Sequence, residues 1–397
     1  MQSFTYYTPT EIVFGPGAEN QTATMIKKHG GTKALVVYGE GSVVKSGLLD
    51  KVLIQLDMEG IAYFKHGGAT PNPHLSFARA GVEAALGFGA DFVLAIGGGS
   101  AIDAAKGIAH GAKNPGTDIW KFWLREETVT QSLPVGVVLT ISAAGSETSN
   151  SAVLTNTETG QKRGLGTDFN RPRFAIMNPE LTYSLPKYQI SCGIADIMMH
   201  TMERYFSPEC NAMKTNEITD GIAEALLKTV IKNGPIALAN PKDYDAQSEI
   251  MWCGSLSHNG ISGLGRTMDF SVHQCGHELS GRFDVAHGAS LTTMWGSWAR
   301  YCMPVNPARF ARYARNIWGV TSADDTAAAE EGICKTEEYF KSIGMPTCFT
   351  ELGIGVQEET VIDHLADCCV HHGKRLVGSF RPLDKGDIYM IYKAANI

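Results

Sequence analysis

Two clusters of imidazole and carboxylate side chains carry the densest chemistry in the chain. Asp196-Ile197-Met198-Met199-His200 sets a carboxylate and an imidazole at i and i+4 in a helix-like stretch. That spacing puts both on one face, within reach of a single cation. His273, His277 and His287 follow within fifteen residues of one another. His273 and His277 again share a helix face, and His287 can return from a short loop. Any one histidine is more often a core or surface residue than a ligand. Four of the twelve histidines with a carboxylate, in two tight clusters, point instead to a metal. An aspartate with neutral imidazoles suits Zn²⁺ or Fe²⁺. Three imidazoles and one carboxylate would leave a position for a substrate oxygen. His29, His66, His74, His258, His364, His371 and His372 carry no such geometry and read as structural or solvated.

A second kind of signal stands earlier. Ile96-Gly97-Gly98-Gly99-Ser100-Ala101-Ile102-Asp103 follows an apolar run and opens a helix toward His110. Glycines let the backbone approach a pyrophosphate closely, and the first helix amides point at the anion. The spacing departs from Gly-x-Gly-x-x-Gly, so alone the turn is a weak signal and a ligand-free βα turn is its bland alternative. Thr140-Ile141-Ser142-Ala143-Ala144-Gly145-Ser146-Glu147 follows another apolar run and belongs at the same sheet edge. By itself it reads as a loop satisfying its own backbone. Together the two favour a nucleotide site. A metal beside a nicotinamide polarises a carbonyl or stabilises an alkoxide, so hydride transfer needs less charge reorganisation. His277, the histidine not needed as a fourth ligand, is the candidate for passing the alcohol proton to solvent.

These residues need elements to position them. Lys33–Tyr38, Ile61–Phe64, Phe92–Ile96 and Val135–Leu139 are short apolar runs separated by helical stretches such as Gly47–Met58. Unbroken runs of this kind predict a parallel sheet covered on both faces. The fold class is therefore α/β, a doubly wound dinucleotide-binding domain over residues 1–186, with ligands beyond the carboxyl ends of its strands. From Gln189 onward the periodicity is helical, as in Asn216–Lys232, and predicts an all-α metal-binding domain over residues 187–397. Pro179–Pro186, rich in turn formers, reads as the hinge.

The bulk properties agree. The chain has 397 residues, 44% hydrophobic and 19% charged, which suits two folded domains and excludes wholesale disorder. A net charge of −7 supplies no basic field for a phosphate backbone, so nucleic acid is not an expected partner. The first residues show no signal peptide and no run approaches a membrane span, so no membrane is expected. Nine cysteines without a Cys-x-x-Cys pair read as reduced thiols of a cytoplasmic protein.

Phe14-Gly15-Pro16-Gly17, the turn Gly97–Ser100 with Asp103, Gly193-Ile194-Ala195-Asp196 with His200, His273, Gly276-His277-Glu278-Leu279 and His287-Gly288 occur in combination. On these motifs the chain resembles the iron-containing (group III) alcohol dehydrogenases, essentially end to end, and looks closest to their butanol dehydrogenase branch. The resemblance implies Asp196, His200, His273 and His287 as metal ligands, with iron or zinc as the ion. It implies Gly97, Gly98, Gly99, Ser100, Asp103, Thr140, Ser142, Ser149, Lys162 and Leu181 as cofactor contacts, with His277 near the nicotinamide. Asp103 stands beside His277 as a catalytic candidate. In similar proteins an aspartate after the strand ending at Tyr38 selects NAD. Here Gly39, Glu40, Gly41 and Ser42 stand there, with Lys45 a turn further, which suits a 2′-phosphate and favours NADP(H) over NAD(H); Glu40 is the departure.

The expected function is hydride transfer between that cofactor and a small alcohol or aldehyde such as butanol or butanal, by a homodimer or larger homo-oligomer. A polyol or glycerol dehydrogenase is the nearer rival. A lyase of the dehydroquinate synthase type ranks lower, since beside the histidines only Arg282 hints at a phosphate pocket. A decayed binding protein ranks lowest, because every expected ligand position is filled. Met251, Trp252, Phe270 and Trp295 lie near the metal segments in sequence and are candidate walls of an apolar substrate pocket.

Overall fold

The computed structural model describes residues 1–39, 41–208 and 216–397. Its contacts divide the chain into two compact units. One comprises Tyr7–Pro186 with Pro241–Ser255; the other comprises Met1–Tyr6, Lys187–Asn240 and Leu256–Ile397. The division differs from a single cut at residue 186 in two places. The segment Pro241–Ser255 joins the first unit because Met251 is fully buried in its core and the Thr148 hydroxyl donates to the Ser255 carbonyl at 3.2 Å. The first six residues join the second unit, where the Gln2 amide donates to the Gly265 carbonyl at 3.0 Å.

Among the described residues of the first unit eight strands form, β1 (Glu11–Phe14), β2 (Lys33–Tyr38), β3 (Ala62–Gly67), β4 (Phe92–Gly97), β5 (Val135–Leu139), β6 (Ser151–Asn156), β7 (Gln161–Gly166) and β8 (Phe174–Met177). Six make one sheet in the order β1-β8-β5-β4-β2-β3, and every pair in it is parallel. Alternation along the strands explains how it is covered. Leu35, Val37, Val93, Ala95, Val135 and Val137 face the helices Leu75–Phe88 and Gly99–Lys113. Ala34, Val36, Leu94, Ile96 and Val138 face Thr22–Lys28 and Leu48–Met58. Burying both faces is what turns the strand sequences into continuous apolar runs. The hairpin β6–β7 is antiparallel and stands apart from that sheet.

Strand order reverses between β2 and β4. The chain steps outward from β2 to β3, returns to β4 beside β2, and continues through β5 and β8 on the other side. Loops that leave neighbouring strands in opposite directions open a crevice at such a point, which is where doubly wound sheets bind nucleotides. Gly39–Ser42 follows β2, and Gly97–Ser100 closes β4.

The second unit is helical, built on Lys187–Tyr205, Glu217–Ala239, Ser271–Phe283, His287–Cys302 and further helices after them. Among its described residues the only strand-like contact is an isolated bridge between Val377 and Leu383. Its core is aromatic: the rings of Phe206 and Phe310 stack at 4.3 Å, and Trp295 and Trp298 pack at 5.4 Å.

Candidate functional site

Three helices of the second unit carry the metal candidates. Lys187–Tyr205 holds Asp196 and His200, Ser271–Phe283 holds His273 and His277, and His287 opens His287–Cys302. Two glycines let these helices cross closely. A Cβ on Gly288 would collide with the backbone of Cys192, and one on Gly276 would lie 2.9 Å from Leu291 and Ser290 side-chain atoms. A larger residue at Gly288 would force the ligand-bearing helices apart, and one at Gly276 would displace the Leu291 and Ser290 side chains.

Asp196, His200 and His273 offer ligand atoms that all lie within 4.8 Å of one another, and all three side chains are buried. The Asp196 Oδ1 is 3.3 Å from His200 Nδ1, 3.5 Å from His273 Nε2 and 3.9 Å from His287 Nε2. Asp196 Oδ1, His200 Nδ1 and His273 Nε2 are buried without a hydrogen-bond partner. Orphaned polar atoms of this kind are costly in a protein interior. Lone pairs aimed at a common point fit a divalent cation, so the residues present suit the implied ion. Burial and the neighbouring His258, His273 and Arg204 hold His200 well below the usual histidine range, which keeps its imidazole in the ligating, neutral form. Burial also opposes charge on His273, but Glu203 and Asp196 outweigh it and raise that ring to about 9.

His277 sits one turn beyond His273, with ring centroids 6.3 Å from His273 and 5.5 Å from His287. His258, read from sequence as structural or solvated, instead lies edge-on to His200 at 4.0 Å, and it belongs to the surroundings of the ligands. Met251 is in the α/β core and Trp295 in the aromatic helical core, while Trp252 meets Phe14 edge-on at 6.4 Å. Phe270 borders the metal candidates, 5.1 Å from His273 and 6.1 Å from His200.

At the sheet edge of the first unit, Gly97–Ser100 and Thr140–Glu147 are neighbours, as the Thr140 amide donating to the Gly97 carbonyl at 3.1 Å shows. Gly98 packs against Ile141, where a Cβ would stand 2.9 Å from the nearest side-chain atom. Ser42, Thr140 and Leu181 arrive from three separate segments and line one cavity of about 190 Å³ with Val43, Ser46 and Glu180. Ser142 Oγ is buried without a hydrogen-bond partner, which suits a polar ligand there. Glu40 lies outside the described residues.

Other cofactor candidates are occupied within the protein. Both Asp103 carboxylate oxygens accept hydrogen bonds, one from Ser146 Oγ at 2.5 Å and the other from the Val153 amide at 2.9 Å. In this arrangement Asp103 braces the loop behind the glycine turn. Ser149 Oγ closes a local turn with the amide and carbonyl of Ser151. Lys162 Nζ is 2.9 Å from Oδ1 of Asn72, both buried.

Sequence reasoning missed the group that organises this edge. Lys106, fully buried, donates to Ser146 O, Ser146 Oγ and Ser151 O at 2.7 Å each, with Asp103 at 3.9 Å. Burial lowers its ammonium to about 8, opposed by the charges of Asp103 and Glu147. The signal was present: a lysine three residues after an aspartate, among small and apolar neighbours in the helix Gly99–Lys113.

Comparison with known proteins fits both halves. The model of iron-containing alcohol dehydrogenases matches residues 9–179, and that of the C-terminal region of the Fe-containing alcohol dehydrogenase family matches residues 190–396. NADH-dependent butanol dehydrogenase A of Clostridium acetobutylicum is 38% identical over 395 residues, 99% of each chain. NADPH-dependent aldehyde reductase YqhD of Escherichia coli is 32% identical over 398 residues, the whole of both chains. The solved structure of NADH-dependent butanol dehydrogenase A from Thermotoga maritima superposes with a TM-score of 0.95 at 32% identity, covering 100% of this chain and 99% of that one. The chain belongs to the iron-containing alcohol dehydrogenase family, among its butanol dehydrogenase-like members, and is an alcohol–aldehyde oxidoreductase.

Proposed function

We propose that the protein transfers a hydride between NADP(H) and a small primary alcohol or aldehyde such as butanol or butanal, with one divalent metal ion at Asp196, His200, His273 and His287. The observation that carries this reading is the convergence of buried, unpartnered ligand atoms on Asp196, His200 and His273. When bound, the ion supplies Lewis acidity to the substrate oxygen and the nicotinamide supplies the hydride. The chain's own groups then divide the work. Asp196 and the three imidazoles would hold the ion, and His277 takes or returns the alcohol proton at a ring nitrogen. Gly97–Ser100 and Ser142 hold the cofactor, and Ser42, Thr140 and Leu181 form the wall of its cavity. The wider setting proposed is the cytoplasm, in a homo-oligomer. None of the eight described cysteines forms a disulfide, and no helix among the described residues is long and apolar enough to cross a membrane.

The choice of NADP(H) rests on Gly39, which presents no carboxylate to a 2′-phosphate, with Ser42 on the cavity and Lys45 on the same short helix, Ser42–Lys45. The two curated relatives divide, one named for NADH and one for NADPH. The test mixes metal-analysed protein with butanal and either reduced cofactor and follows the reduced-nicotinamide absorbance. Metal-dependent oxidation, faster with NADPH, is expected. Faster oxidation of NADH would overturn the cofactor assignment, and no oxidation by fully metal-loaded protein would overturn the substrate assignment.

A further inference from the structure

The helix that presents His273 starts in an unusual way. Its N-cap residue is Phe270, a bulky side chain in the left-handed region at φ 61°, and no cap side chain bonds from that position. A left-handed conformation is unfavourable for such a residue, and an uncapped first turn leaves amides without acceptors. The acceptors come from elsewhere. Asp269 Oδ1 accepts from the Ser271 amide at 2.9 Å. Glu203, on the helix that carries Asp196 and His200, reaches across with Oε1 to the amides of Val272 at 2.6 Å and His273 at 3.2 Å. Its Oε2 meets His273 Nδ1.

Glu203 is fully buried. Its main chain is tied to the same place, the Asp269 amide donating to the Glu203 carbonyl at 2.9 Å. Next to it Arg204 donates to the His200 carbonyl at 2.8 Å and lies over the Phe270 ring at 4.8 Å, bracing the cap residue. With Nδ1 engaged by Glu203, the other ring nitrogen of His273 is the one that faces Asp196 Oδ1, at 3.5 Å.

We propose that Glu203 is the positioning residue of the metal centre: one carboxylate caps the helix of His273 and accepts from its Nδ1, holding the ring as the tautomer whose Nε2 lone pair faces Asp196 and His200. Carboxylates that take the far N–H of a ligating imidazole fix both tautomer and ring orientation. Here the same group also fixes where the helix begins, so the axial position and the rotation of the ligand are set together. The inference rests on the metal reading of the site.

Glu203→Gln is the discriminating variant. It is isosteric, but it has a single acceptor where the site needs acceptors on both sides. If its oxygen keeps the helix amides, its NH₂ faces Nδ1 and drives the proton onto Nε2, which then cannot ligate. Zn²⁺ affinity is measured by chelator competition in wild type, E203Q and His273→Ala, with the visible spectrum of each Co²⁺-saturated protein and the melting temperature of each metal-free one. The expected result is 10–100-fold weaker Zn²⁺ binding in E203Q with an altered cobalt band. A lowered metal-free melting temperature with wild-type affinity and an unchanged cobalt band would reduce Glu203 to a helix cap and overturn the proposal. Affinity within twofold of wild type, with everything else unchanged, overturns it as well. Wild type that takes up neither ion would bring down the metal reading itself and this inference with it.

Discussion

The two units build their candidate ligand positions in opposite ways. In the helical unit the charged and polar groups face the ligand position directly: Asp196, His200 and His273 are buried with atoms aimed at one another, and close helix crossings at Gly276 and Gly288 supply the precision. At the nucleotide edge the charges stand behind the site. Asp103 and Lys106 brace the loops, and the candidate cofactor contacts at the ends of β4 and β5 are glycines and small hydroxyl residues. A metal ion demands donors of fixed number and position, so few side chains carry everything. A dinucleotide is long and is held by many weak contacts, so its site depends on scaffolding more than on any one donor.

That contrast can be broken or sharpened by substitution. The largest effect is expected for His273→Ala, which removes a proposed ligand from the unit with no redundancy. Losing several kcal/mol of Lewis-acid stabilisation corresponds to a loss on the order of a thousandfold or more in kcat/KM. Metal analysis and turnover should fall together, and turnover retained without metal would remove the basis of the comparison.

Lys106→Met comes next. It leaves Asp103 and three oxygens without their cation in a dry interior, which costs about 3–5 kcal/mol. Urea unfolding should report that loss while the metal content of the folded fraction stays at the wild-type level. A variant as stable as wild type would mean that the brace does not hold the edge.

A pH effect of similar size belongs to the same unit. His110 is buried between Ser132 Oγ at 2.9 Å and Asn170 Oδ1 at 2.7 Å. Burial lowers its ring to about 4, aided by Lys106 and opposed by Asn170. The folded-state value lies below the unfolded one near 6.5, so the unfolded chain takes up the proton first. Stability is complete above about 6.5 and falls as pH drops toward 4, by about 3 kcal/mol in all. Denaturation series from pH 7 to 4 on wild type and His110→Gln should differ in slope over that window. Parallel slopes would show that His110 is not the group responsible.

The smallest effect is expected for Gly98→Ala. The added methyl would press on Ile141 at 2.9 Å, and relieving it moves the turn by a fraction of an ångström. A strain of roughly 1–2 kcal/mol raises the cofactor KM about tenfold and leaves metal content alone. An unchanged KM would show that this turn yields more easily than the crossings at Gly276 and Gly288.

Most of the sheet was legible because parallel strands buried on both faces are spelled as apolar runs; β2, β4 and β5 stand where such runs predict them. The short edge strand β1 and the four-residue β8 offer too few residues to show a period, and β7, Gln161-Lys162-Arg163-Gly164-Leu165-Gly166, carries polar residues that no apolar pattern reveals. In the metal centre the i and i+4 pairs could be seen on one line of sequence. Glu203 could have been, since it continues the Asp196–His200 face at i+7, but its partner amides are some seventy residues away and only folding brings them near. The nearness of His258 to His200 likewise depends on long-range packing, and no local spacing announces it.

The membership of Pro241–Ser255 in the α/β unit has a consequence for how the chain is made. Met251 fills part of that unit's core and the Ser255 hydroxyl pairs with Glu147. A ribosome adding roughly 5–20 residues per second therefore releases the first 186 residues well before the piece that completes their interior. The nascent sheet must wait, with apolar surface uncovered, while the first helices of the other unit are synthesised. Aggregation during synthesis is accordingly expected to concentrate in that interval, and a release of the chain at residue 186 should yield an incomplete, chaperone-dependent fragment rather than a free-standing nucleotide-binding domain.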